Sequence, residues 1–65
     1  QINIYTTNRG IKIGDSYSDL IEKYGTPSDK MIVGDTIYVY YFYKDKKLSF
    51  TIEDDLIKNI SISMN

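Results

Sequence analysis

Eight consecutive residues, Thr36-Ile37-Tyr38-Val39-Tyr40-Tyr41-Phe42-Tyr43, are β-branched or aromatic. These side chains suit a half-buried pleated surface, so the run predicts a central strand over 36–43. Successive side chains in a strand point to opposite faces. Val39, Tyr41 and Tyr43 therefore share one face, and Tyr38, Tyr40 and Phe42 the other. Both faces are apolar, so whatever covers one decides what the other is free to do.

The chain offers one cover. Tyr17, Leu20, Ile21 and Tyr24 recur at i, i+3, i+4 and i+7, a single apolar stripe at the helical period. Ser16 is a suitable N-cap, and Asp19 is placed to reach back to its amide as a capping-box variant and to favour the first turn of the helix dipole. Gly25 can take the C′ position and Pro27 blocks continuation, which predicts a helix of about two turns over 17–24. So short a helix does not nucleate alone in water and needs a sheet to lie on.

After the central run, Lys44 to Lys47 read as a turn, and Leu48-Ser49-Phe50-Thr51-Ile52-Glu53 alternates as a half-buried strand does. Asp54-Asp55 reads as the next turn. The last strand carries Ile57, Ile60, Ile62 and Met64. The odd step from Ile57 to Ile60 predicts a bulge near Lys58-Asn59. A four-residue turn at 44–47 would set Tyr43 opposite Leu48, Tyr41 opposite Phe50 and Val39 opposite Ile52. Earlier in the chain, residues 2–5 read as a strand, at the sheet edge or exchanged with a partner, and Asn8-Arg9-Gly10 as a turn. Ile13 is expected in the core. Residues 28–35 read as a loop that lays Met31, Ile32 and Val33 over one end of the core. The expected fold is α+β: one helix on one face of a three- to four-stranded antiparallel meander, forming a single domain over 1–65. Gln1 stands where an initiator Met would, which reads as a processed product or an excised segment.

Size and composition narrow the function. A domain of 65 residues buries only about 60% of its unfolded surface, and a core of this size rarely contributes more than ~3–5 kcal/mol. Small chains compensate with disulfides, metals or partners. There is no Cys and no His here, which excludes disulfides and the common zinc sites. Well-idealised packing, self-association or the rest of a larger chain remains, and the strands favour the last two. The net charge is −1, whereas a nucleic-acid binder needs a basic stripe. The one lysine cluster, Lys44, Lys46 and Lys47 broken by Asp45, reads as a charged hairpin tip held in water. No apolar run approaches the ~20 residues of a membrane span.

Catalysis finds no support. Without His or Cys, base and nucleophile roles would fall to Asp, Glu, Lys, Tyr or Ser. Glu53-Asp54-Asp55 lacks the spaced oxygens and the Gly of a calcium loop. Ser16, in Gly-Asp-Ser, lacks the flanking Gly and the His partner of a nucleophile elbow. No cofactor or metal site is expected.

Gly10-Ile11-Lys12-Ile13-Gly14-Asp15-Ser16, a short helix ending in Tyr24-Gly25-Thr26-Pro27, and strands joined by charged turns together resemble the β-lactamase-inhibitor-protein-like repeat. They also resemble the SmpA/OmlA lipoproteins of bacterial envelopes and similar exported proteins of Gram-positive bacteria. The resemblance covers about residues 10–63 and implies export and protein binding through the sheet. Those families usually carry a further helix or strand per unit, which this chain lacks on the reading above. They share no catalytic residues to transfer.

The seven tyrosines sharpen the expectation. One helix cannot cover both faces of the sheet, so Tyr38, Tyr40 and Phe42, with Thr51 beside them, are the expected binding surface. Exposed contiguous aromatic area is uncommon on monomers, and tyrosine concentrates at binding hot spots. The expected occupant is a protein or a second copy of the chain as a homodimer. A cell-wall carbohydrate polymer stacked on the aromatic platform is the alternative. The plain reading is that tyrosine suits strands and its hydroxyl tolerates water.

Overall fold

The computed structural model describes residues 2–64. In chain order the elements are β1 (Ile2–Ile4), α1 (Tyr17–Tyr24), β2 (Asp29–Val33), β3 (Thr36–Phe42), β4 (Lys46–Glu53) and β5 (Leu56–Met64). The strands form one antiparallel sheet in the order β1-β5-β4-β3-β2. The four strands β2 to β5 are a meander, and β1 returns to pair with β5, Ile2 opposite Ile62 and Ile4 opposite Ile60. The helix spans the residues that its apolar stripe and caps predict.

The sheet has five strands rather than three or four, because residues 28–35 are not a loop. Asp29–Val33 pairs along its length with β3, Val33 opposite Thr36 and Asp29 opposite Tyr40. The turn between them is Gly34-Asp35, with Gly34 at φ 62°. A glycine at positive φ in the first place of a two-residue loop is what a tight hairpin requires. Met31, Ile32 and Val33 consequently lie exposed on an edge strand instead of over the core.

The register of β3 and β4 also differs from expectation. Tyr41, not Tyr43, lies opposite Leu48, with Val39 opposite Phe50 and Ile37 opposite Ile52. The loop is tighter than four residues: the Tyr43 amide donates to the Lys46 carbonyl at 2.8 Å, leaving only Lys44-Asp45 between them. The shift is two residues, one full period of side-chain alternation, so every inward side chain stays inward. The bulge falls where the Ile57–Ile60 step places it. Thr51 faces Asn59 and Ile52 faces Ile57, so Lys58 is the extra residue.

The core lies between the helix and the sheet. Leu20, Val39, Phe50, Ile52, Ile57 and Ile60 are buried at 1% exposure or less, and Ile11 joins them from the segment before the helix. Ile13 packs against this cluster from its rim. Tyr24, Tyr41 and Phe50 form a triangle of rings with centroids 5.2 to 5.8 Å apart, which ties the helix to β3 and β4. The Tyr41 hydroxyl donates to the carbonyl of Gly25 at 2.8 Å, just past the helix. Burial, then the neighbouring tyrosines, pushes its pKa up to about 12.

The helix start is held by main-chain pairing. The Ser16 Oγ accepts from the Asp19 amide at 3.1 Å, while the reverse half of the capping box does not form. Gly14 and Tyr17 amides donate to the carbonyls of Ile57 and Asp55, and the Ile57 amide donates to Asp15. One edge of β5 is thus paired by β1 along Ile60–Ile62 and by residues 14–17 near its start. Lys12 and Asp15 close the preceding turn. The Asp15 carboxylate accepts from the Lys12 amide at 2.9 Å and ion-pairs its ammonium at 3.0 Å. These contacts, the amide first, lower the Asp15 pKa, and Asp15 in turn raises that of Lys12.

Candidate interaction surface

Pairing of β3 with both neighbours fixes what stands on the face away from α1. Tyr38 sits between Met31 and Thr51, Tyr40 between Asp29 and Ser49, and Phe42 opposite Lys47. The expected set of Tyr38, Tyr40, Phe42 and Thr51 is therefore brought together on one surface, opposite the face that buries Leu20, Val39 and Tyr41. Phe42 is 53% exposed, while Tyr38, Tyr40 and Thr51 are half-buried by their neighbours. No described element crosses this face.

The surface has two zones. Toward the free edge, Met31 and Val33 of β2 extend the aromatic residues into an apolar strip, 49% and 56% exposed. Toward β5 the side chains become short and polar. Ser49, Thr51, Asn59, Ser61 and Ser63 floor a shallow groove of about 240 Å³ walled by Tyr38 and Tyr40. The Lys47 ammonium stands 5.4 Å above the Tyr40 ring, within cation–π range. At the far end the Thr36 hydroxyl donates to the Glu53 carboxylate at 3.0 Å.

Met31, Val33 and Lys47 were not foreseen as part of this surface. The first two depend on recognising Gly34-Asp35 as a hairpin loop between two apolar runs, a signal present in the sequence. From its charge, Lys47 reads as part of the hairpin tip. Lys46 and Lys47 instead lie within β4 and point to opposite faces, Lys47 over Tyr40 and Lys46 with its ammonium 5.9 Å from the Tyr43 ring.

Among the described residues no group of three or more His, Cys, Asp or Glu side chains is gathered to hold a metal, and no helix is long and apolar enough to cross a membrane. Comparison with protein-family models, curated proteins and solved structures finds no match.

Proposed function

We propose that this domain is a non-catalytic interaction module of an exported bacterial protein, and that it binds a protein or a second copy of itself through the face bearing Tyr38, Tyr40, Phe42 and Thr51. The observation that carries this reading is the uncovered strip of Met31, Val33 and Phe42 alongside the two tyrosines, on a sheet whose other face already holds the core. Burying such a strip removes apolar area from water at about 25 cal/mol per Å². It would also compensate for a small core that has no cross-links. Export and an extracytoplasmic location rest on the resemblance of the Gly10–Ser16 and Tyr24–Pro27 segments to envelope proteins.

Light scattering of the wild type beside a Tyr38→Ser, Tyr40→Ser, Phe42→Ser variant tests self-association. A concentration-dependent dimer that the triple substitution abolishes, with unchanged circular dichroism, supports it. Two monomers at high concentration remove the homodimer from the proposal.

The groove beside the tyrosines favours a second reading, a cell-wall carbohydrate. Its hydroxyl and amide floor next to aromatic walls offers both the hydrogen bonds and the stacking surface that sugars use. Retention on insoluble cell-wall polymer that the same triple variant loses would move the assignment there.

A further inference from the structure

The helix does not close the whole inner face. Near the β3–β4 turn that task falls to residues 5–13, a loop held by its own main chain. The Thr7 amide donates to Ile11 at 2.7 Å and the Ile13 amide to Tyr5 at 3.1 Å. Between this loop, the last residue of α1 and the turn at Tyr43–Lys46 lies a cleft of about 600 Å³. That volume is within the ~300–1,000 Å³ typical of small-molecule sites.

Its chemistry is two-sided. Ile4, Leu48 and Ile62 supply an apolar lining, and Tyr24 and Tyr43 add aromatic walls. Arg9, Lys44 and Lys46 bring three cations to the same concavity against a single carboxylate, Asp45. The whole chain carries a net charge of −1, so this local positive excess runs against the overall balance. Among the described residues the one ion pair is Lys12–Asp15, which leaves all three cations without a carboxylate partner. Arg9 is nonetheless positioned: its guanidinium lies 4.8 Å over the Tyr24 ring and donates to the Lys23 carbonyl at 3.1 Å.

We infer that this cleft binds a small anionic amphiphile, a carboxylate carried on an apolar body. The apolar part would lie against Ile4, Leu48 and Ile62, and the carboxylate would meet Arg9 and the two lysines. A neutral hydrophobe would gain the first contact and not the second. A polyanion such as nucleic acid would need a row of phosphate contacts, which one concavity with three cations does not supply.

The test is a titration of the isotope-labelled chain followed by amide NMR shifts, with octanoate kept below micelle-forming concentration as the probe. Octanol, octyltrimethylammonium and phosphatidylglycerol vesicles are the comparison arms. Octanoate is expected to give saturable shifts around Ile4, Arg9, Tyr24 and Leu48, and to bind roughly tenfold or more tightly than octanol, a difference that one added charge contact can supply. An Arg9→Gln, Lys44→Gln, Lys46→Gln variant should lose that preference, and a Lys44→Arg, Lys46→Arg variant should keep it. The inference is overturned if octanol or the ammonium probe binds as tightly as octanoate. It is also overturned if the shifts map to Tyr38 and Tyr40, or if only vesicles produce them.

Discussion

Tyr41 joins packing and hydrogen bonding in one side chain. Its ring packs tilted against Tyr24 and perpendicular to Phe50, and its hydroxyl reaches the Gly25 carbonyl. Because burial raises its pKa to about 12 from an ordinary value near 10, the unfolded chain loses this proton first as pH climbs. The stability that the neutral phenol contributes is therefore complete below pH ~10 and is lost as pH rises through ~12. Tyr41→Phe should cost about 0.5–1.5 kcal/mol at neutral pH, the usual net worth of one hydrogen bond. It should also flatten the alkaline decline in urea midpoint, and an unchanged slope between pH 10 and 12 would assign that decline to other tyrosines. Leu20 gives the larger effect. It is fully buried under the sheet, and Leu→Ala in such a site costs roughly 2–5 kcal/mol. For a core of this size that should leave Leu20→Ala largely unfolded at room temperature by circular dichroism.

Turns set the outcome at the scale of elements. Asp54 and Asp55 both have positive φ, 53° and 64°, as a type I′ two-residue hairpin demands. Aspartate tolerates that region better than most residues, but Asn-Gly fits it best. Asp54→Asn with Asp55→Gly should raise stability by about 0.5–1 kcal/mol, read as a melting temperature several degrees higher. A fall would mean that the aspartate side chains hold the turn by contacts of their own. The free edge of β2 is the opposite case. It has Met31, Ile32 and Val33 exposed and no proline or bulge to block another strand. Ile32→Lys should lower scattering by aggregates at high concentration without lowering the melting temperature. These turns also explain what could be read from the residues alone. The helix was legible because Ser16, the Tyr17–Tyr24 stripe and Gly25 agree with one another, and the bulge because Ile57 and Ile60 break parity. The β2 hairpin was missed because Asp29, Lys30 and the apolar triplet do not alternate, although Gly34-Asp35 marked the loop. The β3–β4 register was missed because charge in Lys44–Lys47 suggested a longer turn than the backbone makes.

For the whole molecule, the division into a buried and a free face does not depend on the exact register. Parity along Tyr38 to Tyr43 is indifferent to a two-residue slip, so the aromatic surface could be placed before the register was known. Its extension over Met31 and Val33 could not, since it depends on the fifth strand. The cationic cleft was beyond reach for a different reason. Arg9, Tyr24, Lys44 and Ile62 come from four separate stretches of chain, and only the folded domain brings them to one place.

The pairing of the first strand with the last has a consequence for chain topology. Ile2 lies across from Ile62, so a short glycine-rich bridge could carry Met64 back to Ile2, and the Lys44-Asp45 turn could be opened to make new ends. Such a circular permutant should keep the native amide spectrum, because connection and cut both fall where few contacts cross. In it the β5–β1 ladder becomes a local hairpin and β3–β4 a distant contact. If folding of the original chain waits on that closing ladder, the rearranged chain should fold faster.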